Sequence, residues 1–80
     1  MQNARPQKHS LTLRGHRTSV SLEPAFWQAF RDQAAREGKG INQLAAEIDA
    51  ARAGEAGVDI GLASAIRLYI LARLTERAAD

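Results

Sequence analysis

The chain has 80 residues, 45% of them hydrophobic, with no cysteine and a formal net charge of +2. That length supports one small domain, and the lack of cysteine excludes a disulfide framework and a thiolate metal site. The first residues carry no apolar stretch of the secretory kind, and the longest apolar run, Leu68 to Ala72, is far too short to cross a bilayer. A reducing, cytoplasmic setting without a membrane partner is therefore expected.

Charge is unevenly spread. Residues 1–22 hold Arg5, Lys8, Arg14 and Arg17 and no acid, whereas residues 23–80 hold seven Lys/Arg against nine Asp/Glu. A basic end on a slightly acidic body points to a polyanionic partner, most simply double-stranded DNA. A solvated basic tail is the plainer alternative.

Residues 1–9, "MQNARPQKH", are polar and aperiodic, and they read as a flexible basic arm ahead of a single domain over 10–80. Residues 10–14, "SLTLR", alternate, with Leu11 and Leu13 on one side; Gly15 interrupts. Residues 16–22 alternate again, with Thr18, Val20 and Leu22 on one face and Arg17, Ser19 and Ser21 on the other. Such alternation predicts a half-buried strand. Two readings stand: one strand over about 16–22 with a frayed lead-in, or two short strands bent at Gly15.

Three helices follow. The first is predicted over about 24–37. Pro24 suits its opening turn, Trp27, Phe30 and Ala34 supply the apolar face, and Gly38 stops it. The second is predicted over about 41–52, with a stripe of Ile41, Leu44, Ala45 and Ile48. "GEAGVDIG", residues 54–61, reads as a loop. The third covers about 62–77. Ile66, Tyr69, Ile70 and Leu74 form its main face, and Leu68, Leu71 and Ala72 widen it around most of the girth. A helix this apolar needs cover on several sides, and a second copy is the obvious source.

Catalytic chemistry is not indicated. His9 and His16 have no neighbouring acid to orient an imidazole, and Ser19 near His16 has no recognised nucleophile–base spacing. Asp49, Glu55 and Asp59 do not have the spacing of a calcium loop, and the glycine-rich segment lacks the Lys-Ser/Thr of a phosphate loop. No enzyme activity, cofactor or metal is expected. The strand is more informative. A guanidinium can chelate guanine O6 and N7, a hydroxyl can meet any base edge, and a two-stranded ribbon fits the major groove. Arg17, Ser19 and Ser21 project together at period two, although an ordinary polar edge strand would look the same.

The order of elements carries the strongest signal. A basic end, a strand ending in "SLEP", a Trp/Phe helix and "EGKGINQL" opening a second helix resemble the ribbon-helix-helix family. The pattern is similar to that of a subgroup of small bacterial proteins through "GHRTSVSLEPAFW", "AAREGKGINQLAAEID" and "LASAIRLYILARL", covering about residues 11–74. The resemblance implies a mainly α fold with one short N-terminal strand. It implies an intertwined homodimer whose two strands form an antiparallel intersubunit ribbon, and family members of this kind read DNA with β-structure. It places Arg17, Ser19 and Ser21 on bases. Arg5, Lys8, Arg14, His16 and Lys39 would contact phosphates, as would the helix start at Gly40, Ile41 and Asn42, where free N–H groups favour an anion. Thr18, Val20, Leu22, Trp27, Phe30, Leu44, Ile48, Ile66, Tyr69 and Ile70 would form the dimer core. Two registers are open for the family's second helix: 41–52, or 62–77 with the phosphate contact moved to about Gly61–Ser64. The implied function is a dimeric transcriptional repressor, able to assemble further on DNA. The alternative is a protein–protein module or antitoxin-like partner, with a protein docked through the third helix.

Overall fold

The computed structural model describes residues 4–54 and 60–79 of the chain. The expected glycine-rich loop falls largely on residues 55–59, outside the described residues. In chain order the elements are β1 (Gln7–Leu13), β2 (His16–Leu22), α1 (Pro24–Arg36), α2 (Ile41–Gly54) and α3 (Leu62–Ala79).

The two strands form one antiparallel sheet within a single chain, in the register Gln7↔Leu22, His9↔Val20, Leu11↔Thr18 and Leu13↔His16. This corrects two expectations. Residues 7–9 are not a flexible arm but the start of β1, and β2 is not a lone strand awaiting another subunit, because β1 runs beside its whole length. Of the two readings of the Gly15 interruption, the bend is the one found. Arg14 and Gly15 have φ values of 51° and 83°. Positive φ at both central residues is the mark of the two-residue hairpin turn whose twist suits the flanking strands. Glycine adopts that geometry freely, whereas an arginine there costs on the order of 1 kcal/mol.

Burial offsets that cost. Leu11, Val20 and Leu22 point inward and are buried, and Leu13 packs against the same cluster. His9 also turns inward. Its ring stacks on Trp27 of α1 with centroids 3.9 Å apart and planes 4° from parallel, although its Nε2 is buried without a hydrogen-bond partner among the described residues.

The helices close over this face. Pro24 opens α1 behind Glu23, and the helix ends in a left-handed Gly38 (φ 69°). There the N–H groups of Gly38 and Lys39 donate to the carbonyls of Ala35 and Ala34 at 3.1 and 2.9 Å, the bonding pattern of a glycine-terminated helix. Phe30 and Ala34 of α1, Leu44, Ala45 and Ile48 of α2, and Ala65, Ile66 and Ile70 of α3 complete the core. The residues expected between subunits therefore pack inside one chain: Val20, Leu22, Phe30, Leu44, Ile48, Ile66 and Ile70 are buried, and Thr18, Trp27 and Tyr69 are half-buried. Of the remaining leucines of α3, Leu68 and Leu71 are 56 and 59% exposed, and Leu74, one turn beyond Ile70, is 46% exposed.

Leu11→Ala distinguishes an integral β1 from a tail. Removing a side chain that is 1% exposed should cost roughly 2–5 kcal/mol in urea unfolding, whereas the same change in a free arm would leave the midpoint in place.

Candidate nucleic-acid interface

Because side chains alternate across a strand, the inward set leaves Lys8, Ser10 and Thr12 of β1 and Arg17, Ser19 and Ser21 of β2 on the outer face, and all six are exposed. The register pairs them as Lys8↔Ser21, Ser10↔Ser19 and Thr12↔Arg17. The face carries two cations and four hydroxyls. Arg14 and His16 extend the exposed basic surface at the turn, and Arg5 is exposed just before β1. Ser10 and Thr12 escaped the sequence-based list. The alternation of "SLTLR" held the signal, since setting Leu11 and Leu13 inward sends both hydroxyls outward.

The strand edges differ. The N–H of Thr12 donates to Asn42 Oδ1 at 3.0 Å, so it points away from β2. In an antiparallel pair, inward and outward backbone groups alternate along each strand. The outward groups are then those of residues 8, 10 and 12 on β1 and 17, 19 and 21 on β2. The carbonyl of Ser21 agrees, accepting a bond from Arg67 Nη2 at 3.3 Å. The β1 edge thus lies against the start of α2. Among the described residues, no bond from outside the ribbon reaches the backbone of Arg17 or Ser19.

Arg67 of α3 also clasps Glu23, with Nε to Oε1 at 2.9 Å and Nη2 to Oε2 at 3.0 Å. Its guanidinium lies 5.8 Å from the centroid of the Phe26 ring. The backbone amide of Glu23 and this guanidinium hold the Glu23 carboxyl below its ordinary value of 4.5.

Lys39 and Asn42, both expected beside phosphate, also make contacts within the fold. Lys39 Nζ lies 2.6 Å from Glu47 Oε1 and 3.3 Å from Glu37 Oε1, and these two carboxylates raise its pKa. The turn after Gly38 brings it over α2, a pairing the sequence alone does not show. Asn42 uses its side-chain oxygen on β1; the backbone at Gly40 to Asn42 still begins α2 beside the ribbon. Burial pushes the Glu37 carboxyl up, but hydrogen bonds from the Tyr69 hydroxyl, Gln33 and Lys39 bring it below its ordinary value. This cluster ties the α1–α2 turn to α3.

Among the described residues, no three His, Cys, Asp or Glu side chains gather to hold a metal ion, and no helix is long and apolar enough to cross a membrane. A depression of ≈ 240 Å³ between α2 and α3 is lined by apolar side chains and Arg52, whose guanidinium is held by Asp49 and the carbonyl of Ile60.

With this geometry in place, the comparison with known families is decisive. The chain matches the model of the ribbon-helix-helix domain over residues 6–74, and it belongs to that family. The family consists in general of DNA-binding transcription regulators, typically without enzymatic activity. No curated protein and no solved structure matches the chain. The matched span runs from the residue before β1 to Leu74 within α3.

The Glu23–Arg67 pair sets an acid dependence. A carboxyl with a lowered folded-state pKa contributes stability above its unfolded value and loses it as pH falls through the folded one. The urea midpoint should therefore fall below about pH 4.5. Arg67→Met should start from a lower midpoint at pH 7 and show a shallower acid limb, with Glu37 supplying what remains. Parallel limbs in the two proteins would contradict this role.

Proposed function

We propose that the protein is a dimeric, sequence-specific DNA-binding repressor that inserts its β-ribbon into the major groove. The observation that carries this reading is the outer face of the ribbon: Lys8 and Arg17 among Ser10, Thr12, Ser19 and Ser21, in a segment without a single acid. Cations provide the salt-dependent attraction to phosphates, and the mixed guanidinium and hydroxyl face suits base edges.

The edge of β2, open at Arg17 and Ser19 and met by Arg67 at Ser21, supports a specific form of the dimer. Two β2 strands pairing antiparallel about Ser19 retain the intersubunit ribbon of the sequence-based expectation, now as the centre of a four-stranded sheet. Only the central pair fits a groove ≈ 12 Å wide. Arg17, Ser19 and Ser21 of both copies then meet bases, while Lys8 falls at the flanks with Arg5, Arg14 and His16 near phosphates. The unpaired N–H groups that begin α2 at Gly40, Ile41 and Asn42 lie beside β1, where a flanking phosphate would run. Such a repressor acts in the cytoplasm, without cofactor or metal. A protein–protein module draws on the exposed leucines of α3, but it gives no reason for an acid-free ribbon.

Single substitutions separate the roles. Arg17→Ala should cost about 1–3 kcal/mol of discrimination between operator and unrelated DNA. Lys8→Ala should weaken all sequences alike and lower the salt slope by about one. Fluorescence anisotropy over a salt series measures both. Binding that ignores salt, or an Arg17→Ala protein with unchanged discrimination, would overturn the reading.

A further inference from the structure

We infer that one chain carries a complete, quasi-two-fold groove-reading ribbon, so that a single copy binds a short DNA site by inserting its own β1–β2 hairpin. The inference rests on the DNA-binding reading above and adds a second mode to the dimeric one. Residues 8–13, "KHSLTL", and residues 17–22, "RTSVSL", are two versions of one pattern. A cation opens each. Hydroxyls stand at the third and fifth positions, and aliphatic side chains fill the fourth and sixth. Only His9 against Thr18 changes in kind.

The register turns this repeat into symmetry. Ser10 faces Ser19, and two antiparallel strands are related by a half-turn about the midpoint of a facing pair. That rotation carries Lys8 to the place of Arg17 and Thr12 to that of Ser21. The inward set obeys the same rule, with Leu11 and Leu13 matching Val20 and Leu22. So do the edges: Thr12, held by Asn42, and Ser21, held by Arg67, are equivalent positions. An ordinary amphipathic hairpin needs alternation alone. It does not need its two outward cations at diagonal corners and a hydroxyl at every other outward position.

The diagonal sets the ligand. Lys8 lies opposite Ser21, four residues along β2 from Arg17. At about 3.4 Å per residue the two cations stand about 14 Å apart along the ribbon, or about four base-pair steps. Arginine and lysine both chelate guanine O6 and N7, and the half-turn relation places the two guanines on opposite strands. The site is therefore two G·C pairs about four steps apart, with hydroxyls over the pairs between. A two-stranded ribbon fits the groove without a partner. When β2 pairs with another copy instead, β1 moves to the flank and Lys8 with it, so the two modes differ in what Lys8 touches.

The test uses the full chain on duplexes of about one helical turn, about 10 base pairs. One duplex carries the two G·C pairs, and others have one or both replaced by A·T. Native mass spectrometry should show one chain per duplex, and anisotropy should show affinity falling on the order of tenfold for each replacement. Lys8→Ala should make the one-chain complex indifferent to one of the two G·C pairs, and Arg17→Ala to the other. Lys8→Arg, which makes the two ends alike, should keep both preferences. Both side chains are exposed, so circular dichroism should be unchanged throughout. If only two-chain complexes form, the single-copy mode is wrong and the dimeric repressor stands, with Lys8→Ala weakening every sequence alike. One-chain complexes that ignore the G·C pairs, or in which Lys8→Ala acts on all sequences equally, also overturn it. If no duplex is bound at low salt, the DNA-binding reading fails and this inference with it.

Discussion

The architecture depends on a two-residue turn. Arg14 and Gly15 both adopt positive φ, and this reverses the chain tightly enough for β1 to lie along β2. Without it, seven residues of β2 would carry unpaired backbone groups, at a cost no 80-residue domain can absorb. The turn also sets the register, and the register decides which side chains reach the core. A slip of one residue would turn Leu11, Val20 and Leu22 to solvent and send serines inward.

The same parity links two properties that are chemically separate. Along a strand, side chains alternate between faces and backbone groups alternate between edges, both at period two. In β2 the two alternations coincide on Arg17, Ser19 and Ser21. These residues present their side chains on the outer face and their backbone toward the outer edge, where only the Ser21 carbonyl meets a helix side chain among the described residues. The polar outer face and the outer edge therefore come from one set of positions.

Much of this was legible in the sequence and some was not, for definite reasons. The helices announce themselves because Pro24 and Gly38 mark the ends of the first, and the apolar spacing of Ile41, Leu44 and Ile48 and of Ile66 and Ile70 has one interpretation. The faces of β2 follow from alternation alone. β1 is obscured because it begins in Gln7, Lys8 and His9, which are polar; His9 in fact faces inward, through a stack on Trp27 eighteen positions away that no local pattern encodes. The turn is obscured because arginine stands where asparagine or aspartate usually precedes glycine. The ion pairs of Lys39 are hidden for a similar reason. It stands two residues before α2, and Glu47, eight positions on, lies 2.6 Å from its Nζ.

The ribbon must be held by the rest of the domain, since a two-stranded hairpin alone is marginally stable in water. Here each edge is fixed by one side chain from a helix: Asn42 on the N–H of Thr12, and Arg67 on the carbonyl of Ser21. Arg67 is the more consequential of the two. Its guanidinium simultaneously grips Glu23, the residue where ribbon becomes α1, and lies over Phe26. A planar fork that satisfies several acceptors at once loses less freedom per bond than a lysine would, so the strand-to-helix corner is pinned at one point to α3. Any contact that displaces α3 must then either break those bonds or move the end of the ribbon. The leucine side of α3 and the outer face of β2 are mechanically joined through a single arginine.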